Sequence, residues 1–282
     1  MIRPGLVLLC LLVLPGCATM VSSAASKMAD NISLAIRNQD DPATVRDGAP
    51  AYLLMIDGLI EGDNEDVDLL LAGARLYGSY TSAFIDDEVR ARRLSGKALG
   101  FARRALCIDV APVCQASGGK LDEFELSMES TSTVDLRVMY AYAVAWASWI
   151  QINSDDWNAL ADLSKVTALF ERCVVLDEAY DGGGAHLYLG VIKSLMPPAL
   201  GGKPELARAH FERAHELSEG KNLMVNVLMA RHYARMVYDR ELHDRLLTEV
   251  QAARADYDGY TLINMLAKIE ADRLLAESAE FF

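Results

Sequence analysis

Between Asp181 and Leu217 the chain reads DGGGAHLYLGVIKSLMPPALGGKPELARAHFERAHEL, two amphipathic segments around a loop rich in proline and glycine. Ala207, Phe211 and Ala214 recur at offsets of four and seven, which puts them on one face of a helix. In the preceding segment Gly190 follows Leu189, a small residue where two helices would have to approach closely. The stretch therefore predicts a helical hairpin.

The same spacing occurs twice upstream, at Ala98, Ala102 and Ala105 and at Val166, Phe170 and Cys173. Three related hairpins with no strand pattern between them predict an all-α chain. Leu189-Gly190, and Leu176-Asp177-Glu178 at the end of the third hairpin, resemble positions of a tetratricopeptide repeat, although the proline that usually closes that repeat is missing. The expected architecture is a right-handed stack of tetratricopeptide-like hairpins, an α-α superhelix with a concave face. At 52% hydrophobic residues, the 282-residue chain can bury a large core.

In chain order, residues 1–16 form a targeting segment. Arg3 supplies a positive start, residues 6–14 an apolar run too short to cross a bilayer, and Leu14-Pro15-Gly16-Cys17 follows. That ending resembles a bacterial lipobox, which implies lipidation of Cys17, cleavage after Gly16 and a membrane anchor. Ala18 in place of an aspartate implies sorting to the outer membrane. Residues 17–27 read as a tether and 28–282 as one helical-repeat domain. Pro42 and Pro50 each look like a first-turn proline, with a short helix over 52–60 and the next over 67–84. Gly118-Gly119 and the polar run 129–133 bound a loop-rich insertion. Later helices are expected over 157–175, 223–237, 242–253 and from about 260 to 280.

The most apolar segment, VDLRVMYAYAVAWASWIQI at 134–152, is too short between its polar residues for a membrane span, which needs about 20 residues. It reads as a central helix. Met139, Tyr142, Trp146 and Trp149 form a helical stripe on it, either core or the wall of a ligand site. His186 and Tyr188 of the opening hairpin carry the same pair of readings.

Few residues suggest catalysis. The five histidines, His186, His210, His215, His232 and His243, form no HExxH pattern, so no metal is expected. Gly182, Gly183 and Gly184 precede a helix but lack the strand and the lysine of a phosphate loop, and a tight turn explains them. Asp86-Asp87 and Asp155-Asp156 suit helix N-termini. No GxSxG nucleophile motif occurs. An enzyme and a cofactor are not expected. The formal charge of -13 lacks the basic footprint of a nucleic-acid binder. Cys107 and Cys114 either close a disulfide or lie as two apolar side chains at a helix end.

Phe170, Leu176, Asp177 and Tyr180, then Gly182 to Gly184, His186, Tyr188, Leu189 and Gly190, with Pro197, Gly201, Gly202, Ala207, Phe211 and Ala214, together resemble the T component of tripartite ATP-independent periplasmic (TRAP) transporters. The resemblance implies a periplasm-facing lipoprotein that assembles as a homotrimer with pores through its protomers. It also implies docking of the substrate-binding P component and passage of a small, partly hydrophobic ligand or organic acid. A ligand-free envelope scaffold, assembling other proteins through its concave face, is the alternative.

Overall fold

The computed structural model describes residues 31–200 and 202–282, with Leu200 in its backbone only. The targeting segment, Cys17 with its tether, and Gly201 lie outside the described residues. Residues 31–37 are helical and are termed α1. Then follow α2 (Pro42–Gly62), α3 (Val67–Phe84), α4 (Glu88–Asp109), α5 (Ala111–Ala116), α6 (Leu121–Met128) and α7 (Leu136–Ile152). Next come α8 (Trp157–Ala161), α9 (Leu163–Asp177), α10 (Gly184–Lys193) and α11 (Pro204–Leu217). The chain ends with α12 (Met224–Leu228), a π-helical stretch Met229–Ala234, α13 (Arg240–Ala252) and α14 (Thr261–Phe281). Among the described residues the fold is all-α.

Sequence neighbours pack as spatial neighbours: α3 on α4, α4 on α7, α7 on α9, α9 on α10 and α10 on α11. Their apolar faces make two cores. The larger runs from α2 to α10 and includes Ile56, Leu70, Phe124, Met139 and Phe170. The smaller joins α11 to α14 through Phe211, Leu247 and Leu274. Helix α10 serves both, because Ala185 and Leu189 belong to the first core while Leu187 and Val191 pack against the second.

The array also meets itself end to end. The Asn38 side-chain amide donates to Asp258 Oδ1 at 2.7 Å, and its oxygen accepts from the Gly259 N–H at 2.5 Å. Helices α2 and α14 touch as well. At the start of the stack, the Lys97 ammonium and the Tyr77 hydroxyl both donate to Asp57, at 2.6 and 2.7 Å, which ties α2, α3 and α4 together.

Several boundaries differ from expectation. Pro50 begins no new helix: α2 continues through it, capped by Asp41, whose side chain accepts from the Ala43 N–H. An interior proline costs about 3 kcal/mol. The buried row Val45, Ala49, Leu53, Ile56 and Ile60 on the same helix offsets that cost by burial. The expected loop-rich insertion contains the helix α6, fixed by fully buried Phe124 and by Met128. The helix expected over 157–175 breaks at Asp162, and that over 223–237 passes through the π stretch. No described helix is long and apolar enough to cross a membrane.

Candidate functional site

The turn between α9 and α10 brings the site together. Asp181, Gly182 and Gly183 take left-handed φ values of 53°, 62° and 80° in succession. Glycine reaches this region without strain, and aspartate is among the few other residues that visit it. Space adds a second requirement. A Cβ on Gly182 would run into the Tyr260 hydroxyl, one on Gly184 into the Tyr140 hydroxyl, and one on Gly183 would lie 2.9 Å from Leu217. The glycines thus let two tyrosines and the second hairpin helix close on the turn.

Asp181 accepts a 2.8 Å hydrogen bond from the Tyr140 hydroxyl. The Tyr140 ring stands edge-on to Phe170 and Tyr180, with centroids 6.2 and 5.2 Å away, and Phe170 stacks on Tyr188 at 4.7 Å. Asp181 is solvent-exposed overall, while its carboxyl faces the Tyr140 hydroxyl across the turn. Desolvation there pushes its carboxyl above the usual range, against the Tyr140 hydrogen bond and the positive fields of Arg37 and Arg75. Burial likewise pushes the Tyr140 hydroxyl well up, and that of Tyr188 to about 12. Both tyrosines therefore stay protonated as hydrogen-bond donors at neutral pH.

Arg137 at the edge of this wall is committed to Asp68 and Asp109. Among the described residues Arg37 and Arg75 form no ion pair, and both act electrostatically on Asp181. Arg37 also acts on Tyr260, and Arg75 on Tyr180. A wall of tyrosine rings and hydroxyls beside two uncommitted guanidinium groups can receive a molecule with an apolar body and a negative end.

The residues singled out by pattern fall into different places. Met139, Tyr142 and Trp146 are 0, 3 and 4% exposed and belong to the first core, with Trp146 edge-on to Phe124 at 6.1 Å. Their surroundings make them packing residues. Trp149 is half-buried against the same core, and Tyr188 lies in the wall. His186 instead meets His210, their Nδ1 atoms 2.8 Å apart, with Glu178 3.3 Å from its other nitrogen and Arg213 holding Glu178. Burial lowers the pKa of both imidazoles, that of His210 to about 4.

Ala207, Phe211 and Ala214 are fully buried. A Cβ on Gly190 would sit 2.9 Å from the Phe211 ring, so α10 and α11 are in contact through the bare glycine. A Cβ on Gly202 would strike the Met196 carbonyl. The sulfurs of Cys107 and Cys114 are bonded, with Cα atoms 5.0 Å apart. Burial pushes the Cys173 thiol up to about 12, which leaves it without thiolate character.

Tyr140, Tyr180, Asp181, Tyr260, Arg37 and Arg75 were not legible as a group in the sequence. Part of the signal was present: Tyr140, Val144 and Ser148 fall at offsets of four along α7, and all three are half-buried. Asp181 stands directly before the glycines. The juxtaposition of Arg37 with Tyr260, from opposite ends of the chain, has no local signature.

Stacked helical hairpins that meet end to end and carry a hydroxyl-rich aromatic wall make a binding and assembly architecture. Residues 38–282 match the family model described as TRAP transporter T-component, and the chain belongs to that family. It is thus an accessory component of a TRAP transport system, which places its work at the bacterial envelope. No curated protein matches its sequence.

Proposed function

We propose that the protein is a lipid-anchored, periplasm-facing subunit that binds the substrate-binding P component and passes a small organic acid with an apolar body. Cys17 carries the anchor, the outer membrane is its seat, and a homotrimer is the working assembly. The observation that supports ligand passage is the wall itself, where Tyr140, Tyr188 and Asp181 lie within the electrostatic reach of Arg37 and Arg75, neither of which forms an ion pair among the described residues. In a chain of net charge -13, two exposed arginines acting on the same wall favour an incoming carboxylate.

The test is calorimetric titration of the purified protein with a panel of aromatic and branched aliphatic carboxylates. Hydrogen bonds to charged groups contribute about 1.5 to 3 kcal/mol, so Arg37→Ala with Arg75→Ala should weaken binding by about tenfold or more without lowering the melting temperature. Unchanged affinity in the double variant would remove the arginines from the site. Failure of the wild type to bind any carboxylate would favour the ligand-free scaffold.

A further inference from the structure

We propose that the edge of the array opposite the Asp181 wall lies on the bilayer interface, seated there by the rings of Trp157 and Tyr238, so that the wall faces away from the membrane; this rests on the lipid-anchored reading above. Contacts sort the helix ends into two sets. On the wall side, Arg137 at the start of α7 pairs with Asp68 at the start of α3 and with Asp109 at the end of α4. There the α9–α10 turn also meets Leu217 at the end of α11 and Tyr260 just before α14. The opposite helix ends form the other edge. Arg92 near the start of α4 donates to both carboxylate oxygens of Asp155 before α8, each at 2.9 Å, and the Tyr238 hydroxyl before α13 donates to the Phe282 carbonyl beyond α14 at 2.7 Å.

That second edge carries the exposed rings. Trp157 is 83% exposed and Tyr238 65%, and Val89, Leu195, Met196 and Phe281 are exposed along with them. The wall side leaves Ile108, Val134 and Val175 exposed, all of them aliphatic. Single exposed aliphatic residues are ordinary on a protein surface, whereas tryptophan and tyrosine are the residues that settle at a membrane–water interface. Tyr238 is held outward at a cost. Its φ of 57° lies in the left-handed region, which a bulky side chain seldom adopts. The Phe282 ring, 5.2 Å away, supports it from one side and leaves most of the tyrosine open.

Charge does not name another occupant. Asp87, Asp156 and Asp239 are engaged as caps of α4, α8 and α13, and Asp155 is paired with Arg92. Exposed Asp86, Glu88 and Glu241 share the edge with exposed Arg93 and Lys203. Such a mixture recruits neither a polyanion nor a polycation, and it suits headgroups of both signs with apolar side chains entering between them. The bilayer is also close at hand. From Cys17 to Asn31 an extended chain spans at most about 50 Å, so an anchor at Cys17 keeps this edge at high effective concentration over the lipid. With the rings seated, the α9–α10 turn and Asp181 point to the aqueous side, from which an incoming carboxylate arrives.

The experiment uses the lipidated protein as the cell makes it, reconstituted into vesicles of phosphatidylethanolamine and phosphatidylglycerol, one set with acyl chains brominated close to the glycerol. Flotation on a density gradient reads the anchor, and tryptophan emission reads the edge. The wild type should float, and the brominated chains should quench about a third of its emission, the share of one tryptophan in three. Added salt should leave that quenching unchanged, because rings and not charges seat the edge. Trp157→Phe should float equally and lose the quenching, since Trp146 and Trp149 lie against the first core. A wild type that floats with equal emission in both vesicle sets would overturn the seated edge and leave the anchor standing. A drop in particle mass of Trp157→Asp in detergent, read by light scattering, would give the edge to a second copy of the chain and overturn the bilayer as its occupant. A wild type that does not float would overturn the anchor reading, and the orientation with it.

Discussion

The two faces of α7 use similar residues and meet opposite fates. Met139, Tyr142 and Trp146 are closed into the first core, whereas Tyr140, Val144 and Ser148 stay half-open on the side of Asp181 and Tyr188. Aromatic content therefore does not assign the wall on a helix that is apolar all round; the neighbours do. Phe124 from α6 covers Trp146, while on the other side the α9–α10 turn brings a carboxylate and hydroxyls instead of an apolar lid.

The largest expected effect tests the closed face. Trp146→Ala should cost about 3 to 5 kcal/mol in urea unfolding, the range for removing a large core aromatic. Tyr140→Phe on the open face removes one hydrogen bond and should cost about 1 kcal/mol. Equal losses would mean that both faces are core, and the wall would have to be sought elsewhere.

The same contrast holds on α10, between Gly190 on its packed side and Tyr188 in the wall. Alanine is the better helix former by about 0.5 to 1 kcal/mol. Even so, Gly190→Ala should lower stability by about 1 to 3 kcal/mol, because its methyl would press on the Phe211 ring. Tyr188→Phe keeps the stack on Phe170 and should cost about 1 kcal/mol or less. A thermal melt of each variant decides it, and a Gly190→Ala protein as stable as the wild type would show that α11 can shift aside.

Residues that act within a turn or two of helix were legible in the sequence. Ala207, Phe211 and Ala214 announced their hairpin because helical period alone sets them on one face, and Gly190 was readable as a point of close approach. The turn at Gly182 and Gly183 was readable because few residues suit left-handed backbone. Pro50 misled because the local rule against interior proline was overruled by the buried row along α2. Helices α5 and α6 were hidden because they are short, and what fixes them is Phe124 reaching a core assembled by distant helices. The wall was hidden for the same reason: Arg37, Arg75, Tyr140, Asp181 and Tyr260 come from five separate elements, and only closure of the array brings them near one another.

The smallest effect concerns the seam between α10 and α11, where packing has a polar edge. His186 and His210 face each other through their Nδ1 atoms, an arrangement in which one ring donates and the other must remain a neutral acceptor. Burial holds the folded pKa of His210 at about 4, below the value of about 6.5 expected for an unfolded histidine. As the pH falls through that interval the unfolded chain takes up the proton first. The stability present above about pH 6.5 is therefore lost progressively down to about pH 4. Because the His210 ring is partly open to water, the loss should be modest, about 1 kcal/mol between about pH 7 and pH 5. His210→Asn keeps a polar partner for His186 but cannot titrate, so its stability should fall less over the same interval in paired urea titrations. Parallel curves for the two proteins would assign the acid sensitivity to carboxylates elsewhere and reduce the histidine seam to packing alone.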